Sequence, residues 1–182
     1  MNKIELIARG VCVKSGKILL CKNKNKTYFY LPGGHIEHRE RAEDALLREI
    51  REELGLEASI LRFLGCAEFC YKQKIRRVAE VNLVFEIAIP RARTSRKPGA
   101  KEKHLTFFWQ PLASLASSDL QPEVLRTLLP QWRQYPGFSS SGEGWIESEN
   151  QTRADPSPSA PSMALICASE VSPWTVCETA KM

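Results

Sequence analysis

Residues 33–56 read GGHIEHRERAEDALLREIREELGL, and this stretch decides what the fold must accommodate. Its last third carries the carboxylates of Glu49, Glu52 and Glu53. In a helix, residues three and four apart share a face, so Glu49 would lie beside both other acids, where like charges repel. One interpretation is a solvated helix surface, since Glu and Arg are good helix formers. The other is that a hard divalent cation such as Mg²⁺ or Mn²⁺ binds among the carboxylate oxygens.

The spacing of the whole stretch favours the second interpretation. Five residues separate Gly34 from Glu40, and seven more separate Glu40 from Arg48. The sequence then continues as Glu49, Ile50, Arg51, Glu52, Glu53, Leu54, Gly55 and Leu56. This pattern resembles the Nudix box, the motif of the MutT-like Nudix hydrolase superfamily, at every defined position. Nine constrained positions over 23 residues match by chance far less often than a short glycine motif does.

The resemblance implies a metal site built from this segment. Glu49 and Glu53 would be the principal ligands of Mg²⁺ or Mn²⁺. Glu52 would share in ligation or in activating water, so that Glu52 and Glu53 are both expected among the catalytic residues. The backbone carbonyl of Gly33 would add a further ligand.

Three other residues of the motif are expected to complete the site. Arg48 has a planar guanidinium that can pair with several carboxylate oxygens, and the resemblance implies that it orients the catalytic glutamates. Glu40 would assist Arg48, and an acid near a helix N-terminus is also favoured by the helix dipole. Gly34, together with Gly33, permits a backbone course closed to other residues.

One acid outside the motif is a further candidate. Related enzymes often carry a glutamate in the loop before a late strand, and Glu102 precedes the strand-like residues 105–109. We expect Glu102, rather than Glu80, to bind metal or to act as general base. The alternative for Glu102, which lies between Lys101 and Lys103, is an ordinary surface charge.

Apolar periodicity predicts the elements around the motif. Residues 4–13 and 17–21 are expected to form a hairpin about Gly16, residues 28–31 a short strand and residues 41–54 a helix. Strands are expected at 59–71, 78–89 and 105–110, and a second helix at 122–133. Mixed strands with two helices favour an α/β fold, a layered α/β/α sandwich. The resemblance implies the same sandwich, with a mixed β-sheet and the motif as a loop-helix-loop unit.

Composition divides the chain in two. Residues 1–138 carry 24 Lys and Arg against 15 Asp and Glu, whereas 139–182 carry 2 against 6, which together give the net charge of +5. We expect one catalytic domain over 1–138 and a disordered Ser- and Pro-rich tail over 139–182. The alternative is that the apolar residues 163–168 of this tail dock on the domain or on a partner. A basic domain favours polyanionic substrates. Deleting 139–182 is expected to leave activity intact.

Other features bear on location and partners. No apolar run approaches the roughly 20 residues needed to span a bilayer, and the N-terminus lacks the pattern of a secretory signal. We therefore expect a soluble, cytoplasmic protein without a membrane partner, and the sequence leaves its oligomeric state open, a homodimer included. Cys66 and Cys70 lie four residues apart in a predicted strand, which favours buried, reduced thiols over a zinc site.

The resemblance leaves the substrate class broad. It implies cleavage of a nucleoside diphosphate derivative, such as a nucleoside triphosphate or a dinucleoside polyphosphate, to a nucleoside monophosphate and a second phosphate product. Tyr28 and Tyr71 are candidates for stacking on a base, although core packing is the default for an aromatic residue. Two alternatives stay open: a 5′-end RNA pyrophosphohydrolase, and a non-catalytic nucleotide-binding regulator, which would be expected to lack part of the motif.

Overall fold

The computed structural model describes residues 3–73, 76–134 and 138–139. The chain divides into two units, residues 1–145 and 146–182, and every described residue belongs to the first. Of the predicted tail only Ser139 is described, so the expectation of disorder lies outside the described residues. Within the described residues, no helix is long and apolar enough to cross a membrane.

Strands and helices follow one another in a mixed order. The strands are β1 (Lys3–Val11), β2 (Val13–Lys14), β3 (Lys17–Asn23), β4 (Ser59–Gln73), β5 (Arg76–Ala88), β6 (Leu105–Pro111) and β7 (Phe138–Ser139). The helices are α1 (Ala42–Leu54), a 3-10 turn (Leu112–Ser114) and α2 (Leu125–Gln134). The predicted bounds of α1 and of the three later strands agree with these to within about two residues.

The predicted α/β class is confirmed, but the strands form two sheets. Four strands lie in the order β1-β5-β4-β7, with β1 parallel to β5 and the others antiparallel. Three more lie in the order β2-β3-β6 and are antiparallel. The segment leading into the motif joins the two sheets, because Ala8 and Gly10 donate to Gly34 and Pro32 while Cys21 exchanges two bonds with Tyr30.

The predicted hairpin of residues 4–13 with 17–21 is wrong in extent. Only Val13 and Lys14 pair with β3, whereas all nine residues of β1 pair with β5. The chain leaves the first sheet at Cys12 and enters the second. The turn itself is as predicted: Ser15 and Gly16 both have positive φ, 50° and 70°, which suits a two-residue hairpin turn.

The predicted strand at residues 28–31 is also reduced. Tyr30 pairs with Cys21 and Phe29 with Leu120, each as a single bridge. Pro32, which lacks an N–H, follows directly and cannot extend a ladder as a donor.

Apolar side chains pack on both sides of the sheets. One cluster lies under α1 and includes Leu46, Ile50 and Phe85, and the other lies under α2 and includes Val84 and Leu129. The residues of β3 alternate between the two: Leu19 and Cys21 face the first cluster, and Ile18 and Leu20 face the second. This explains why β3 reads as an unbroken apolar run, and it gives the α/β/α layering.

The four cysteines among the described residues are free thiols, but the predicted burial of Cys66 and Cys70 is not found. Cys66 is partly buried and Cys70 is exposed, whereas Cys12 and Cys21 are buried. The face of β4 that carries Cys70 continues across the sheet to the side chain of Ile4, which is 72% exposed. The clusters under the helices do not extend to this end of the strands, so alternation alone did not secure burial.

Candidate active site

Helix α1 fixes the positions of the acidic residues. Leu46, Ile50 and Leu54 are buried against the sheet. Gly55, with φ of 65°, ends the helix and donates its N–H to the carbonyl of Arg51. The apolar side of α1 therefore sets its rotation, and Glu53 is carried to the interface with only 6% of its surface exposed.

Arg48 holds the acids of the motif together. Its guanidinium donates to both carboxylate oxygens of Glu40, at 2.8 and 3.0 Å. Its Nη1 donates to Glu49 at 2.9 Å and to Glu52 at 3.1 Å, and its Nη2 donates to the carbonyl of His35 at 3.1 Å. Hydrogen bonding to Arg48 lowers the pKa of Glu40 to about 2, and Glu40 in turn raises the pKa of Arg48. Arg48 and Glu40 thus orient Glu49 and Glu52 from behind.

Arg48→Lys is expected to lower catalytic efficiency by about 10- to 100-fold while the unfolding free energy changes by about 1 kcal/mol or less. An ammonium cannot reproduce a fork that holds three carboxylates at once. Measurement of kcat/KM with Mg²⁺, together with thermal unfolding, checks this. Arg51→Lys is the matched control, because Arg51 forms a similar fork with exposed Glu57, at 3.0 Å for both bonds, and its loss should leave activity unchanged.

Glu53 is a buried carboxyl group without a close cationic partner. Its Oε2 accepts a hydrogen bond from the Gly33 N–H at 3.3 Å. Burial raises its pKa to about 8; the Gly33 N–H bond and the charge of Arg9 oppose the rise, and the negative charges of Glu49 and Glu102 add to it. Among the described residues, no Lys, Arg or His forms an ion pair with it. Such a group requires either a proton or a bound cation.

The metal-free protein is expected to lose stability as the pH rises. A carboxyl group whose pKa is higher in the folded than in the unfolded chain favours folding while protonated. The contribution of Glu53 is therefore complete below its unfolded pKa of 4.5 and is lost as the pH rises through about 8. The loss amounts to roughly 3 to 5 kcal/mol at 1.36 kcal/mol per pKa unit. Thermal unfolding in EDTA from pH 5 to 8 should show it in the wild type and not in Glu53→Gln; parallel pH profiles would contradict the assignment.

The two glycines let the helix approach the preceding loop. Gly33 has φ of 119°, and a Cβ there would lie 2.2 Å from the carbonyl oxygen of Ala8. At Gly34 a Cβ would lie 2.5 Å from the carboxyl carbon of Glu49. The pair is therefore required at two different contacts, one with the backbone of β1 and one with an acidic side chain.

Arg9 is a residue of the site that the sequence analysis did not select. Its Nη1 donates to the carbonyls of Gly33 at 2.8 Å and Leu31 at 3.2 Å, and its Nε donates to buried Asn82 at 3.3 Å. The guanidinium also lies 5.1 Å from the ring centre of Tyr30. An arginine between Ala8 and Gly10, inside the otherwise apolar run of residues 6–11, is the sequence signal that could have indicated it.

These groups surround a cavity of about 320 Å³. It brings together the predicted residues Gly33, Gly34, Glu49, Glu53 and Glu102. It is also lined by Ile7, Arg9, Tyr30, His35, His104 and Leu105. A carboxylate oxygen of Glu102 lies 3.3 Å from Nε2 of His104, while Glu80 lies outside the lining and 3.9 Å from Arg9.

Other predicted residues lie away from the cavity lining. The side chain of Glu52 is 54% exposed and is bonded to Arg48. Tyr71 stacks on Phe69 at 5.8 Å and donates its hydroxyl to Glu5 at 3.2 Å. Tyr28 lies at the surface, with the ammonium of Lys26 at 5.9 Å from its ring centre.

The donor set suits a hard dication, although its present arrangement is not a closed metal site. No group of three or more His, Cys, Asp or Glu side chains in the described part of the chain is placed to hold a metal ion. The reason is visible in the contacts: Arg48 draws Glu49 and Glu52 towards itself, and Arg9 occupies one acceptor position of the Gly33 carbonyl. Carboxylate and carbonyl oxygens, with buried Glu53 unpaired, nevertheless fit Mg²⁺ or Mn²⁺.

Comparison with known proteins agrees with this geometry. The family model described as the NUDIX domain matches residues 5–132. The chain belongs to the NUDIX family. A solved MutT protein from Methanosarcina mazei shares the fold, with a TM-score of 0.59 and 18% identity; the match covers 73% of this chain and 95% of the other. A solved MutT NUDIX hydrolase from Burkholderia pseudomallei also shares it, with a TM-score of 0.52 and 24% identity, over 71% of this chain and 98% of the other.

Curated relatives match over shorter stretches. An ADP-ribose pyrophosphatase of Methanocaldococcus jannaschii is 46% identical over 59 residues, 31% of this chain and 35% of the relative. A putative 8-oxo-dGTP diphosphatase of Bacillus subtilis is 38% identical over 65 residues, which are 36% of this chain and 40% of the relative. An RNA pyrophosphohydrolase of Pseudomonas aeruginosa is 42% identical over 53 residues, 29% and 33%. The chain thus spans about a third to two fifths of the length of these relatives.

Proposed function

We propose that this Nudix hydrolase is a Mg²⁺- or Mn²⁺-dependent pyrophosphohydrolase that cleaves a nucleoside diphosphate derivative. The products are a nucleoside monophosphate and a second phosphate compound. The observation that carries this proposal is the cavity whose lining brings together Glu49, Glu53, Glu102 and Gly33. A bound dication neutralises phosphoryl oxygens and acidifies water. Three acids facing a diphosphate would otherwise repel it.

The residues of the chain have separate tasks in this proposal. Glu49, Glu53 and the Gly33 carbonyl hold the cation, and Arg48 keeps the Glu49 carboxylate in place. Arg9, inside the same cavity, offers a positive charge to a phosphate oxygen. Glu102, on the loop before β6 and 41% exposed, accepts the proton of the attacking water. Glu52, outside the lining, supports the set through its bond to Arg48.

The substrate falls within the range of the relatives, which include an ADP-ribose pyrophosphatase, an 8-oxo-dGTP diphosphatase and RNA pyrophosphohydrolases. The small volume of the cavity favours a free nucleotide derivative, of which the diphosphate enters and the nucleoside stays near the rim. A 5′-triphosphorylated RNA is the second candidate, supported by the net charge of +9 over residues 1–138.

A substrate panel tests the proposal. The full chain, with Mg²⁺ or Mn²⁺, is assayed against nucleoside di- and triphosphates, dinucleoside polyphosphates, ADP-ribose and triphosphorylated RNA. Metal-dependent release of a monophosphate from a small nucleotide is expected. Affinity for RNA that falls steeply with salt would favour the second candidate. Lack of turnover of every member with either metal would sink the enzymatic proposal.

A further inference from the structure

A second cavity, larger than the catalytic one, lies beside the C-terminal end of α1. Its volume is about 630 Å³. Four cationic residues line it, Arg91, Arg93, Arg96 and Lys97, and Leu54 and Leu56 form part of an apolar wall. Among the described residues, no acidic side chain contributes to the lining. This basic cleft, defined by those four cations, whose side chains are exposed, therefore presents positive charge around a partly open volume of ligand size.

The positive charge of the basic cleft is not balanced by nearby acids. Within residues 3–73 and 76–134, no carboxylate forms an ion pair with any of its four cations. Glu57 is close enough to Arg91 for that charge to lower its pKa, but both oxygens of Glu57 already accept bonds from Arg51. The four side chains are exposed, and an anion bound among them would relieve their mutual repulsion.

The backbone of the cleft is held in place. Lys14 donates to the carbonyls of Pro90 and Ala92 at 3.1 and 3.0 Å, and the buried side chain of Ala92 joins the core under α1. At the other end of the same loop, the Lys101 N–H donates to the Glu53 carbonyl at 2.7 Å. The cations therefore project from a loop that is fixed at both ends.

The basic cleft is distinct from the catalytic cavity, although the two are adjacent. Glu53 lines the catalytic cavity and Leu54 lines the basic cleft. The loop of residues 90–104 contributes its first half to the basic cleft and carries Glu102 to the catalytic cavity. The catalytic cavity, rich in carboxylates, attracts a polyanion only with a cation bound, whereas the basic cleft needs none.

We propose that the basic cleft is a second, metal-independent binding site for the phosphate groups of a nucleotide or other small polyphosphate. Arginine guanidinium groups pair with phosphate oxygens through two parallel bonds, and lysine adds a further charge. The apolar wall at Leu54 and Leu56 offers a surface for the uncharged part of such a ligand. The proposal requires no turnover, so it stands independently of the proposed function.

Isothermal titration in EDTA tests it, with the full chain and inorganic tripolyphosphate as the probe. The wild type should bind without metal. Arg93→Ala combined with Arg96→Ala should weaken binding by about tenfold or more, since each loses charge-assisted hydrogen bonds. The matched control removes the same charge from exposed Lys72 and Arg77, which pair across β4 and β5 outside the cleft, and it should bind as the wild type does.

A second arm replaces tripolyphosphate by ATP, still in EDTA. Equal affinities would show that phosphate alone is recognised, and tighter binding of ATP would show that the nucleoside adds contacts; both support the site. Circular dichroism confirms that each variant is folded. Absence of binding in EDTA, binding that requires Mg²⁺, or equal weakening by the Lys72 and Arg77 control would overturn the proposal.

Discussion

Glu53→Gln should lower turnover by orders of magnitude and leave the protein folded. The amide has nearly the shape of the carboxyl group and can still accept the Gly33 N–H bond of 3.3 Å. It cannot become an anion, so it is a poor ligand for a hard dication. Because burial already raises the pKa of Glu53 to about 8, the metal-free fold tolerates a neutral group at this position.

Two measurements separate the loss of metal from a loss of structure. Binding of Mn²⁺, followed by its electron paramagnetic resonance signal, should weaken in Glu53→Gln. The midpoint temperature of unfolding in EDTA at pH 8 should not fall. Glu43→Gln, an acid in the first turn of α1 whose partner Arg41 lies 3.9 Å away at the surface, is the control and should behave as wild type. Turnover near the wild-type level in Glu53→Gln would exclude Glu53 as a metal ligand.

Gly33→Ala should destabilise the protein by about 2 to 4 kcal/mol and abolish activity. A Cβ at residue 33 would meet the Ala8 carbonyl oxygen at 2.2 Å, and a φ of 119° is strained for any residue with a side chain. Rotating a side chain cannot relieve the contact with Ala8, since the obstacle is the backbone of β1. Denaturant unfolding, monitored together with the yield of soluble protein, checks this.

Gly34→Ala is the matched comparison. Its Cβ would meet the carboxyl carbon of Glu49 at 2.5 Å, but that group ends a flexible side chain and can move aside. We expect stability close to that of the wild type with strongly reduced activity, because a displaced Glu49 no longer faces the cavity. A Gly33→Ala protein as stable as Gly34→Ala would contradict the backbone contact described here.

The motif made the fold class and α1 predictable, because its spacing fixes where the helix ends and which side of it is apolar. Sequence periodicity could not show that the chain changes sheets at Cys12, since a strand's partner is chosen by contacts far along the chain. Glu52 was expected beside Glu53 among the catalytic residues. Helical spacing brings it near Glu49, yet Arg48 holds it outside the cavity lining.

Residues outside the motif were harder to place. Glu102 reaches the cavity and Tyr71 does not line it, but both were selected from resemblance, which carries no information on loop paths. Arg9 escaped selection because its role depends on carbonyls more than 20 residues away. The basic cleft could not be predicted either, because only the folded course of residues 90–99 places its cations around one cavity.

Main-chain hydrogen bonds join the segment before the motif to both sheets, to β1 on one side and to β3 on the other. The amide protons in these bonds, those of Ala8, Gly10, Cys21 and Tyr30, should therefore be among the slowest to exchange with solvent. The backbone that carries Gly33 and Gly34 is then expected to keep its position while other parts of the chain open locally.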